Sequence, residues 1–197
     1  MQLRCSLLSV FMRGPVWWGD MTNLDNIADF FDGWRFTNDR LAERIGALSG
    51  EELALKPAPG LWPIWATAAH VAGARVYWMC GFLHEHGAEL TPFAHPNGDG
   101  WEDDLSQPRQ ASELVFALES SWAIVDECLK RWTPGMLQDE FRRERDGKIQ
   151  IITRQSVLMR LLTHDASHAG EISQTLGVHG LPEIDLWTGR VTRTVAG

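Results

Sequence analysis

The stretch VLMRLLTHDASHAGEISQTLG, Val157 to Gly177, decides the fold. Val157, Leu161, His164, His168 and Ile172 recur at steps of three and four and so share one stripe of a helix. The apolar members of that stripe must face a core, and the two histidines between them therefore point inward. The pattern predicts a helix from about Thr153 to Leu176, stopped by Gly177.

Working outward, three more stretches carry a helical period. Leu24, Ile27, Phe31, Trp34, Leu41, Ile45 and Leu48 mark a first helix. Ser49 with Glu52 forms a capping-box pattern that opens a short turn, which Pro57, Pro59 and Gly60 end. Pro63 suits the first turn of a second helix, whose pattern runs unbroken to Gly87. Residues 88–110 hold Pro92, Pro96, Gly98, Gly100 and Pro108, show no period and read as a long crossover. That length can join helices that are not antiparallel neighbours. Leu114, Leu118, Trp122, Val125, Leu129 and Trp132 mark a third helix, terminated by Pro134 and Gly135. Asp146-Gly147 between Phe141 and Ile152 is a turn dipeptide flanked by alternation, so a small hairpin is expected before the last helix. Four long amphipathic helices make an all-α four-helix bundle.

The chain has 197 residues, 44% of them hydrophobic, enough for one sizeable core and too few for a second full domain. Met1 to Asp20 reads as an N-terminal extension, disordered or a misassigned start, because the helical pattern begins afresh at Met21; residues 21–197 form the domain. The leading stretch lacks the features of a secretory signal, and nothing approaches the apolar length of a membrane span, so a cytoplasmic protein with no membrane partner is expected. A net charge of −8 disfavours nucleic acid. The local cluster Arg142, Arg143 and Arg145, broken by Glu144, has the pattern of a solvated turn. Ten tryptophans against one tyrosine suggest a core that opens into a pocket. The three cysteines form no disulfide framework, and Cys80 and Cys128 fall in helical patterns as small core hydrophobes.

His164 and His168 stand one turn apart and can share a metal, although two hydrogen-bonded histidines would give the same spacing. His70 is the third candidate, because Ala66, Thr67, Gly73, Ala74, Tyr77 and Gly81 make a mostly small-residue face that leaves volume beside it. Close helix packing is the competing explanation of that face. His84 and His86 suit the end of a helix, and His95 and His179 fall in loops, so these four are set aside. Neither Cys80 nor Cys128 has zinc-knuckle spacing, which favours imidazole over thiolate ligands.

Three segments, WPIWATAAHVAGARVYW (Trp62 to Trp78), LLTHDASHAGEISQTLG (Leu161 to Gly177) and GLPEIDLW (Gly180 to Trp187), resemble the DinB-like superfamily, the DinB/YfiT-like metalloenzymes. The resemblance spans roughly Leu24 to Trp187. It implies a bundle of up-down-down-up type with His70, His164 and His168 as metal ligands. One departure stands out: many relatives follow the second motif with a further His, Arg, Gly and Gln, where this chain has Ser167, His168, Ala169, Gly170 and Glu171. A carboxylate at Glu171 can accept from a ligand N–H, so Glu171 joins Asp165 as a residue expected to support the ligands.

Three imidazoles on a divalent ion, zinc or nickel by expectation, leave positions open for a small-molecule substrate. The resemblance implies thiol-dependent S-transfer or isomerisation of a small electrophile with a low-molecular-weight thiol such as mycothiol or bacillithiol. A metal-dependent hydrolase is the alternative, since HDASH is similar to the H-E-x-x-H helix of zinc proteases with Asp165 at the glutamate position. A non-enzymatic bundle is the third reading, one that binds metal for stability or sensing or one that forms a homodimer and binds no metal. Arg75 and Arg160, on the site-bearing helices, could hold a substrate carboxylate, though solvated surface arginines fit the pattern better. Trp62 and Trp65 could wall the pocket or simply pack in the core.

Overall fold

In the computed structural model, residues 26–95 and 100–190 are described; the N-terminal extension expected over residues 1–20 lies outside them, as does Leu24. The helix bearing the histidine pair, Arg154–Val178, starts where the Thr153 side chain accepts from the Ser156 N–H. Val157, Leu161, Ala169 and Ile172 are buried along its inner face. It continues through Gly177, and the chain turns at Gly180, which has φ 74° and lets the Leu181 N–H reach the Leu176 carbonyl. Gly177 is small for another reason: a side chain there would meet the Glu183 carboxylate at 2.7 Å.

In chain order the helices are α1 (Asp32–Gly46), the single turn α2 (Gly50–Leu53), α3 (Ile64–Val76), α4 (Ala111–Arg131) and α5 (Arg154–Val178). A 3-10 turn, Ala28–Phe31, leads into α1, so the first element is shorter in its α-helical part than its period implied. Both bonds of the capping box at α2 form: the Ser49 Oγ accepts from the Glu52 N–H, and the Ser49 N–H donates to the Glu52 carboxylate. The stretch after Pro63 also departs from one unbroken helix. α3 gives way to π-helical winding over Tyr77–Phe82, and His84 (φ 60°) and Gly87 (φ 113°) then turn the chain. The extra residue per turn rotates the following side chains out of the α-helical register.

α4 and α5 each pack against both α1 and α3, which places the core along the centre of a helical bundle. The fold is mostly helical and not all-α. Strands β1 (Glu140–Arg145) and β2 (Lys148–Thr153) pair antiparallel through a turn at Asp146 and Gly147, both at positive φ. A two-residue turn of that kind matches the twist of the strands. The arginine cluster lies on β1 and not in a turn; Arg143 bonds Gln150 at 2.8 Å and stacks over the Trp78 ring. Among its described residues the crossover carries the 3-10 turns Ala88–Leu90 and Trp101–Asp103, and its Phe93 ring stands where a Cβ at Gly73 on α3 would meet it at 3.6 Å. That part of the small-residue face is therefore used for packing. Among the described residues no helix is long and apolar enough to cross a membrane.

Candidate metal centre

α3 contributes His70, and α5 contributes His164 and His168, from faces that the packing of α3 on α5 brings together. One nitrogen of each lies within 4.8 Å of the others, all three rings being half-buried. The Nε2 atoms of His70 and His164 approach to 3.0 Å, and the His164 and His168 rings lie 4.4 Å apart between centroids. Two bonds of about 2.1 Å reach across at most about 4.2 Å, so the rings would draw slightly closer around one ion.

Each ring also turns its Nδ1 towards a carboxylate. His70 Nδ1 is 2.6 Å from Glu102 Oε1, His168 Nδ1 is 2.7 Å from Glu171 Oε2, and His164 Nδ1 is 3.6 Å from Asp165 Oδ1. A carboxylate at Nδ1 favours the tautomer that keeps the proton there and leaves Nε2 with its lone pair. His164 Nδ1 makes no hydrogen bond, so its Nε2 can carry the proton and donate to His70 Nε2 at 3.0 Å, a contact that an ion held between the two nitrogens would replace. The donor set and its orientation fit a divalent ion. Burial holds the His168 pKa below the usual histidine value, opposed by the Glu171 hydrogen bond and assisted by the neighbouring His164 and His70. The neutral form that a metal requires is thereby favoured.

Asp165 is anchored well beyond van der Waals packing. Its Oδ2 accepts from Trp34 Nε1 at 2.7 Å and from Arg75 Nε at 2.8 Å. Arg75 extends the network by donating to Asn38 Oδ1 at 2.7 Å and to the Leu118 carbonyl at 3.2 Å, and its guanidinium stacks on Trp122. One buried network therefore ties α1, α3, α4 and α5 behind the histidines. Arg75 is 1% exposed, which corrects its reading as a solvated surface residue. In Leu61 to Phe82 it is the lone charge, so a partner inside the bundle was a signal the sequence did contain. Asp165, also 1% exposed, is not solvated either. Arg160 stacks over Trp78. Trp65 is core, whereas Trp62 stands partly exposed with its ring edge-on to His70, 5.1 Å between centroids.

Glu102 was not foreseen. It lies in the aperiodic crossover, 32 residues from His70, and no spacing links the two. Of the histidines set aside, His179 bonds the Lys56 carbonyl and takes no part in the cluster.

The DinB superfamily matches residues 34–172, most of the chain. The chain belongs to that superfamily. A structure of a DinB-like protein from Bacillus cereus ATCC 10987 is similar to it, with a TM-score of 0.58 over 81% of this chain and 96% of that one. At 21% identity that likeness speaks to the fold. Among curated proteins none matches the sequence. Within this DinB superfamily member the three-histidine cluster could hold a divalent metal; Glu102 and Glu171 bond the outer nitrogens of His70 and His168, and Asp165 lies 3.6 Å from that of His164.

Proposed function

We propose that this protein is a metal-dependent enzyme in which His70, His164 and His168 bind one divalent ion, zinc or nickel, and that it joins a small thiol through its sulfur to a small electrophile, the thiol proton passing to solvent and any leaving group departing with its electron pair, or isomerises the electrophile by reversible addition of the thiol. The observation that carries the reading is the set of three imidazoles, two of them bonded to carboxylates, converging on one point beside an open cavity. Three protein ligands leave room for a further one, the pattern of a catalytic and not a closed structural site.

A bound divalent ion would supply Lewis acidity, enough to deprotonate a thiol that reaches it. The protein's part is to hold each imidazole in its metal-binding tautomer, to exclude bulk water along Trp62, and to present the thiol to its partner. Hydrolysis of the zinc-protease kind asks for more, because beside the metal-bound water it also needs a free carboxylate base. Asp165, the residue that invited comparison with zinc proteases, is closed off by Trp34 and Arg75. Glu102 and Glu171 are engaged with His70 and His168. These engagements favour S-transfer over the hydrolase reading.

Neither of the two described cysteines supplies the thiol in this scheme. Burial pushes the Cys80 and Cys128 thiols up to about 11 and about 12, which leaves almost no thiolate near neutrality. The test is the metal content of protein purified without a polyhistidine tag, wild type beside His168→Ala, together with loss of monobromobimane on addition of a small thiol. Near-stoichiometric metal in the wild type, its loss in the variant, and chelator-sensitive consumption of the electrophile are expected. Metal-free wild-type protein that cannot be loaded would refute the proposal.

A further inference from the structure

A cavity of about 510 Å³ adjoins the histidine cluster through Trp62 and Glu171, bounded on one side by Pro57, Leu61 and Trp62 and on the other by Glu171, Gln174 and Thr175, with no histidine among the described residues of its wall. Two of its walls belong to the site: Trp62 touches the His70 ring, and Glu171 bonds His168. The volume suits a small molecule. Its chemistry is one-sided. Among the described residues that line it there is no lysine or arginine, and the single charge is the Glu171 carboxylate.

Gln174 and the Trp62 indole offer N–H donors at the rim, while the two buried hydroxyls of the wall act the other way. Thr175 Oγ1 already donates to the Glu171 carbonyl, and Thr67 Oγ1 donates to the Pro63 carbonyl, so both hydroxyls face a ligand as acceptors. Glu171 adds further acceptor oxygens. The side of Leu61, Trp62 and Pro57 is apolar and includes an indole, which attracts a cation over its face. A bound divalent ion does not turn this field positive. Glu102 and Glu171 balance its charge, and Asp165 is matched by Arg75.

We propose that this cavity is the substrate pocket of the histidine site and that it selects uncharged or cationic molecules with an apolar end, rejecting anionic ones of the same shape. The inference rests on the proposed function for its use and on the cavity wall for its specificity. In metal-free protein an anion placed there would lose its hydration beside Glu171 and gain no lysine or arginine in return, so the charge preference is read first without zinc.

Three probes of one shape test it: 2-phenylethylamine, 2-phenylethanol and phenylacetate. Their binding to zinc-equilibrated and to metal-free protein is followed by calorimetry and by the indole N–H resonance of Trp62, assigned with Trp62→Phe. The amine and the alcohol are expected to shift that resonance, with phenylacetate at least about tenfold weaker. Gln174 is exposed at the rim, and Gln174→Arg should turn the order round in favour of phenylacetate. Wild-type protein that binds phenylacetate as tightly as the amine overturns the proposal, as does a Trp62 resonance that no probe moves. Charge preference without zinc binding upholds the pocket and removes the metal reading. Zinc binding without charge preference does the reverse.

Discussion

Asp165 Oδ1 lies 3.6 Å from His164 Nδ1, an electrostatic contact too long for a hydrogen bond, and neither of these buried atoms has a hydrogen-bond partner. The other oxygen of Asp165 is held by Trp34 and Arg75, so the carboxylate cannot turn away from the imidazole. The residue next to a proposed ligand is thus both a structural ion-pair member and the group that faces the ligand's outer nitrogen.

Asp165→Asn separates those roles from shape. An asparagine can keep the bond from Trp34, but Arg75 is left buried without its counter-charge, a loss expected to cost about 3–5 kcal/mol. Zinc affinity should fall by about tenfold to a hundredfold, because His164 loses the group that orients it. Urea denaturation of metal-free protein measures the first effect, and zinc competition against a chromophoric chelator measures the second. A variant as stable as wild type would show that the Arg75 ion pair carries no net stability.

Glu102→Gln should behave differently. Glu102 comes from the crossover, and in metal-free protein its loss should cost no more than about 1 kcal/mol, the net worth of one hydrogen bond. Zinc affinity should still drop by about tenfold or more, since the 2.6 Å contact at His70 Nδ1 fixes that ring. Gly100→Ala should reproduce part of the effect, because its Cβ would run into the Glu102 carboxylate. The same chelator competition decides; equal zinc affinity in Glu102→Gln and wild type would remove Glu102 from the site.

These residues mark how far sequence reasoning reaches. His164 and His168 were legible because periodicity places them on a stripe with Val157, Leu161 and Ile172, and His70 because α3 is apolar and small around it. The hairpin was legible from Asp146-Gly147, where two positive φ values are needed at adjacent positions. Glu102 was not, because a contact made across an aperiodic crossover leaves no repeat to read. The π-helical end of α3 was hidden too, since Tyr77 to Phe82 keeps a composition that an α-helix would also bury. Arg75 was misread for want of asking what a lone charge in an apolar helix must pair with.

The turn after α3 offers a stability test. Gly87 adopts φ 113°, and a Cβ there would stand 2.9 Å from the Ile124 side chain on α4. Gly87→Ala therefore combines a left-handed backbone penalty with overpacking, together about 2–4 kcal/mol. Gly33, inside α1 with open space around it, is the control: Gly33→Ala should stabilise by about 0.5–1 kcal/mol. Thermal melts of the two variants should move in opposite directions, and equal shifts would refute the assignment of strain to Gly87.

The cysteines decide where the reacting sulfur comes from. A free thiol with a pKa of about 8.5 is roughly a quarter thiolate at about pH 8. At about 11 and about 12, Cys80 and Cys128 hold thiolate fractions roughly a hundredfold or more smaller. Burial is the first cause in both, and nearby Glu85 opposes the thiolate further. Iodoacetamide at about pH 8 should leave both unmodified in the folded protein, label both after unfolding in guanidinium, and label faster in the folded state as pH rises towards 10. Peptide mass mapping reads each cysteine separately. It follows that the paired replacement Cys80→Ala with Cys128→Ala should retain any thiol-dependent turnover and its requirement for added thiol. Turnover that disappears in that variant while the protein remains folded would place the nucleophile on the chain itself.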